Sequence, residues 1–376
     1  MNKSISHGGT ADRAAPLATT HSGTWLSQFQ KCLERPRPET ALFVSENRVV
    51  ETYRTMRLRA FGKRRSGTLP TLIVAPFAAH DAGFIDLMRG HSLVQALGAA
   101  QGGGGVFVTD WIDARPDAAH ASFDDHLAEL NAAIDDLGGA AHVVGLGIGG
   151  CLAVLHAARF PGKIKRLVLA GTPMDTGIRP SLMTRFAQQS IACAELPDDG
   201  IVCGTQSLPP LTARQGQERA ALETMQRNPA SFARADLNAI SAFEDWAGRS
   251  VDLPGRYARD LLTRIFAENQ LAKGTFVALG RIIDLRTIKI PLFVLAGALD
   301  EITPKMQALS ILSLVGTSKS RQRSLVAPCG HYALFLGAGT LAREWRTIAG
   351  WLQASAPTAQ RPKVHTMAGS VSSKRP

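Results

Sequence analysis

The rhythm of apolar and polar positions changes several times along this chain. Over residues 46–61 the two alternate (Val49, Tyr53, Met56, Leu58, Ala60), which predicts one or two antiparallel strands with one covered face. After a basic turn over 62–70, the compact apolar run 71–76 ends in proline and predicts a strand buried on both faces. A helix is expected across 85–97, a glycine turn at 102–105 and a second buried strand at 106–111. Residues 123–137 have helical spacing, with Ser122 or the acidic pair Asp124 and Asp125 at the N-terminal end. Residues 142–153 then run from apolar strand through a glycine cluster into an amphipathic helix, and 166–171 predict another strand. From 172 to 281 apolar strand runs stop and helices and loops are expected. The strand pattern returns at 290–297 and 324–327, before a last helix over 341–352 with Trp345, Ile348, Trp351 and Leu352 on its apolar face.

Strands alternating with helices at a spacing of ~30 residues imply right-handed crossovers and an α/β fold with a mostly parallel, doubly wound sheet. The strand-free stretch is then an inserted helical cap. The expected division is an irregular N-terminal arm over 1–40 with a short helix near Trp25, a sheet domain over 41–177 and 282–353, a cap over 178–281, and a disordered basic tail over 354–376.

Composition narrows the function classes. The 376 residues are 45% hydrophobic, enough for a sizeable core, yet no run of ~18 apolar residues is present to span a membrane. The first residues lack the charged-then-apolar plan of a signal peptide. Five scattered cysteines without a C-x-x-C pair speak against a disulfide framework and a zinc site, so a cytoplasmic protein with no metal and no cofactor is expected. The formal charge of +11 concentrates around Arg54, Arg57, Arg59, Lys63, Arg64 and Arg65 and in the tail. No nucleic-acid motif with interleaved aromatics accompanies it, so a solvated strand edge is expected and no nucleic-acid partner. Attraction to an anionic surface or an acidic ligand such as a coenzyme thioester stays open.

Two motifs fit the glycine cluster. G-x-G-x-x-G is met by Gly145, Gly147 and Gly150, but a dinucleotide site also needs an acid at the end of the next strand, which ends in Gly171-Thr172. The other motif is the nucleophile elbow G-x-S-x-G, with Gly145 and Gly149 in place and Gly147 in the middle, where no side chain exists. Downstream, Asp300 follows one apolar strand and His331 follows the next. The order elbow, acid, base is that of α/β-hydrolases. In that plan Asp300 orients His331, His331 serves as base, and backbone groups of Ile148 and of Pro76 and Phe77 frame an oxyanion hole.

Several stretches carry a family resemblance: 85–87 leading to Ser92-Leu93-Val94, 108–115 (VTDWIDAR), Pro173-Met174-Asp175, Asn269-Gln270-Leu271, 283–291, Asp300-Glu301-Ile302-Thr303-Pro304 and Gly330-His331-Tyr332. Together they resemble the polyhydroxyalkanoate synthase and intracellular polyhydroxyalkanoate depolymerase superfamily over about residues 47–352. The resemblance implies the α/β-hydrolase fold and chemistry on 3-hydroxyacyl esters, thioesters or the polyester. It also implies Cys, or Ser in some relatives, where Gly147 stands. Cys151 lies one helical turn beyond and is expected to pack as a small buried hydrophobe; Cys329 neighbours His331 in a loop. Two functions follow. One is a nucleophile-free relative that binds a 3-hydroxyacyl ligand, the polyester granule or a synthase partner. The other is an enzyme using the Asp300–His331 dyad with water or an atypical nucleophile.

Overall fold

The computed structural model describes residues 42–99, 105–192, 200–208 and 234–354. The expected arm, most of the glycine turn, parts of the expected cap and residues 355–376 of the tail lie outside them.

Eight strands make one sheet: β1 (Asn47–Thr52), β2 (Met56–Phe61), β3 (Thr71–Val74), β4 (Val106–Trp111), β5 (Ala141–Leu146), β6 (Ile164–Ala170), β7 (Leu292–Gly297) and β8 (Gln322–Ala327). Their order is β1-β2-β4-β3-β5-β6-β7-β8. The β1–β2 and β2–β4 pairs are antiparallel and every later pair is parallel. Strand sequences explain the layering: β3 and β4 are buried along their whole length, as strands covered by helices on both faces must be. Helix α2 (Phe123–Asp136) begins where the Asp125 carboxylate accepts from Ser122 N at 2.8 Å and Ser122 Oγ at 2.7 Å, and it buries Leu127, Leu130 and Ile134. Helix α3 (Gly147–Arg159) is buried from Gly147 to Ala157, so it is apolar on nearly every side.

The helix expected over 85–97 is shorter than its pattern suggested. Residues 82–85 form a 3-10 turn, Asp86–Met88 pairs with His91–Ser92, and only Leu93–Gly98 (α1) is helical. The cause is Asp86, a fully buried carboxylate that accepts from Ser45 N, Ser45 Oγ and Ser92 Oγ. These bonds hold 86–92 extended, and Ser92 then caps α1 by accepting from Gln95 N at 3.0 Å.

Between β6 and β7 the chain forms α4 (Leu182–Ala192), α5 (Arg234–Ala247) and α6 (Gly255–Asp260). This stretch is not free of strands: Ile201–Cys203 pairs with Asp252–Pro254, and Val277–Ala278 pairs with Arg281–Ile282. Such three- and two-residue strands leave no apolar run to read. The basic concentration before β3 is largely structural. Arg59 Nε lies 2.6 Å from the buried Asp110 carboxylate with Arg57 at 3.7 Å, Arg54 meets Asp125 at 3.2 Å, and Arg64 donates to Leu137 O at 2.7 Å.

Candidate functional site

Parallel register aligns the carboxyl ends of the central strands. Val74 pairs with Gly145, Leu146 with Ala170, Ala170 with Leu295, and Gly297 with Ala327. The loops that follow β3, β5, β7 and β8 therefore emerge side by side, the place where doubly wound sheets hold their ligands.

The β5–α3 turn is tight. A Cβ at Gly149 would overlap the carbonyl oxygens of Val74 and Ala75, and one at Gly150 would overlap the Thr172 side chain. Both glycines are demanded by close approach of neighbouring backbone and side chain. Gly147 differs. Its φ is +48°, the left-handed region, yet a Cβ there would sit in open contact, 3.5 Å from Pro76 Cγ and 3.7 Å from His331 Nε2. The tip of the turn thus has room for a side chain and points it at the histidine.

The structure brings Asp300 and His331 together. His331 Nδ1 lies 2.8 Å from Asp300 Oδ2, and both side chains are buried. The other carboxylate oxygen accepts from Ile302 N at 3.0 Å and Thr303 N at 2.7 Å. These donors fix the carboxylate, and the carboxylate fixes the ring: Nδ1 carries the proton, so in the neutral imidazole the lone pair is on Nε2, the atom facing residue 147.

The loop after β3 is pinned from three directions. Ala75 N donates to Thr109 Oγ1 at 3.0 Å, Trp111 Nε1 donates to Ala75 O at 2.8 Å, and Tyr257 Oη donates to Phe77 O at 3.0 Å. Thr109 and Trp111 come from β4 and Tyr257 from α6. The Phe77 ring leaves the site to stack on Trp111 at 5.3 Å within a cluster that includes His126 and Tyr257. One expectation needs correction. Pro76 has no N–H and supplies its ring as a wall, so Phe77 and Ile148 are the backbone donors left among the three residues named for an oxyanion hole. Ile148 is the second residue of α3, where the first amides have no intrahelical partner and the helix dipole favours negative charge.

These loops frame a narrow cleft open to solvent, lined by Gly147, Ile148, Pro76 and His331 together with apolar side chains such as Phe84, Trp246 and Phe335. Phe77 is not in its lining. A wider, solvent-open basin is lined by Asp300 and His331 as well, with Arg179, Arg185, Glu301 and Lys305 on its wall. Neither cysteine competes for the elbow. Cys151 is fully buried, its Sγ lies 3.6 Å from Pro173 O, and burial pushes its thiol up to about 12. Cys329 Sγ lies 3.7 Å from Thr340 Oγ1. His80, Trp246, Thr109, Trp111 and Tyr257 were not singled out as site residues from the sequence. Only the 109–111 motif gave a signal, and that signal carried no role. Among the described residues no three His, Cys, Asp or Glu side chains gather as a metal site, and no helix is long and apolar enough to cross a membrane.

Residues 220–348 match the family model described as PHB de-polymerase C-terminus. The chain is 21% identical over 331 residues to the poly(3-hydroxyalkanoate) polymerase subunit PhaC of Haloferax mediterranei, covering 83% of this chain and 65% of that one. It is 22% identical over 330 residues to the subunit of the same name from Allochromatium vinosum, covering 84% and 88%. The chain is thus similar to the polyhydroxyalkanoate synthase and depolymerase superfamily. It has the α/β-hydrolase fold: it superposes on the monoacylglycerol lipase of Paleococcus ferrophilus with a TM-score of 0.51 at 18% identity, covering 79% of this chain and 98% of the lipase. It spans less than two thirds of the relatives from Haloferax mediterranei and Haloarcula marismortui, 65% and 57% of their lengths.

Proposed function

We propose that this protein binds a 3-hydroxyacyl ester or thioester, or a short run of the corresponding polyester, in the cleft above Gly147, and that it forms no covalent acyl-enzyme. One observation carries this reading: an ordered Asp300–His331 pair faces a residue without a side chain. The names of the polymerase relatives supply the ligand class, and the family resemblance supplies the cysteine or serine that Gly147 replaces. In this reading the N–H group of Ile148, which lines the cleft, receives the ligand's carbonyl oxygen, and residues 178–281 act as a cap. The polyester granule or a synthase subunit in the cytoplasm is the partner.

A second reading is favoured by the 3.7 Å between the Cβ position of residue 147 and His331 Nε2. A water standing in that space attacks the acyl carbon while Nε2 takes its proton, and the proton then passes to the departing alkoxide or thiolate, giving a free acid and an alcohol or thiol. Loss of a triad nucleophile leaves ~10³–10⁴-fold catalysis over water, so such turnover would be slow. The deciding experiment measures turnover of 3-hydroxybutyryl-coenzyme A and a 3-hydroxybutyrate oligomer by wild type, His331→Ala and Gly147→Cys. The binding reading expects no activity in wild type and activity gained by Gly147→Cys. Wild-type activity that disappears in His331→Ala overturns it in favour of water attack.

A further inference from the structure

A second histidine, besides His331, stands in the wall of the cleft. His80, in the loop after β3, is 8% exposed and lines the same cavity as Gly147 and His331. Its Nδ1 lies 2.5 Å from Arg249 O. A carbonyl oxygen only accepts, so Nδ1 carries the proton. Burial lowers the ring's pKa from its ordinary value, which keeps it neutral, and the lone pair is therefore on Nε2.

The surroundings fix this ring without satisfying it. Trp246 packs against it at 4.7 Å between centroids, and the indole N–H of Trp246 is already donated to Asp81 O at 3.0 Å. Asp81 is held in turn by Arg249 at 2.7 Å, so the segment carrying the Nδ1 acceptor is tied to the loop carrying the ring. Ala78, Ala79 and Phe84, the nearby wall, offer no side-chain donor. Among the described residues no hydrogen bond reaches His80 Nε2. An acceptor in such a wall is satisfied by water or by a ligand's donor, and a rigid acceptor discriminates between ligands that carry a donor and those that do not.

We propose that His80 Nε2 accepts the free hydroxyl of an acyl group bound above Gly147, and so makes the site prefer a 3-hydroxyacyl group over the unsubstituted one. This rests on the reading that the cleft holds an acyl ligand. His80 is then a specificity residue that touches ligand, with its tautomer set by Arg249 O.

The test uses two amides that resist hydrolysis, N-ethyl 3-hydroxybutyramide and N-ethyl butyramide, titrated by NMR into the full-length protein. Wild type is expected to bind the hydroxylated amide about tenfold more tightly, the worth of roughly one hydrogen bond. His80→Phe is expected to bind both equally, while His80→Gln, which retains an acceptor oxygen, keeps a preference. Should His80→Phe not fold, His80→Leu carries the same comparison. Equal binding of both amides by wild type, or a preference that survives in the Phe or Leu variant, overturns this inference and leaves the acyl-binding reading standing. Binding of neither amide by wild type overturns both.

Discussion

At the scale of single residues, the glycines of the β5–α3 turn divide by what surrounds them. Gly149→Ala forces a methyl into two backbone carbonyls that cannot step aside, so a loss of about 3 kcal/mol or more, or failure to fold, is expected on chemical denaturation. Gly147→Ser meets only contacts of 3.5 and 3.7 Å, and its cost is the left-handed backbone, about 1–2 kcal/mol. If both variants lose equal stability, the turn is not built as described. The glycine pattern was visible in the sequence, as were Asp300 and His331, because chain order and strand ends are local signals. The difference between Gly147 and Gly149 was not visible. It depends on which atoms of β3 lie opposite, and those belong to residues about seventy positions upstream.

At the scale of elements, the loop after β3 takes its shape from side chains elsewhere. Trp111→Phe leaves the buried Ala75 carbonyl without its donor, so a loss of about 1–3 kcal/mol is expected, and Tyr257→Phe, which strips the bond to Phe77 O, is expected to cost about 1 kcal/mol. Thermal melts of the two single variants and the double variant check this, and additive losses would show that the two anchors hold the loop independently. Most strands were legible because alternation and short apolar runs report burial directly. The hairpin at 86–92 was not, since the fate of Asp86 is decided by Ser45, 41 residues earlier. Tyr257 was hidden for the same reason on a larger scale: its hydroxyl finds a carbonyl 180 residues away.

For the molecule as a whole, buried histidines set the response to acid. His126 is fully buried in the aromatic cluster, its Nε2 has no hydrogen-bond partner among the described residues, and burial lowers its pKa to about 4. Burial lowers His156 to about 3, with Lys163 adding to the shift, and lowers the more exposed His142 to about 4. Each folded value lies below the ordinary one of about 6.5, so the unfolded chain binds these protons first. Stability from them is complete above about pH 6.5 and is lost as the pH falls toward 4, with His126 alone accounting for something on the order of 3 kcal/mol. The melting temperature is expected to fall steeply between pH 6.5 and 4, and less steeply in His126→Phe. A pH-independent melt over that range would contradict the buried neutral ring. The open space at the tip of the turn also has a consequence in genetic terms. Glycine codons ending in a pyrimidine become cysteine or serine codons by a single base change, and position 147 can receive such a residue while Gly149 and Gly150 cannot. If the Gly147 codon ends in a pyrimidine, a library of random point mutants grown under selection for release of a 3-hydroxyacyl ester is expected to return changes at that codon first.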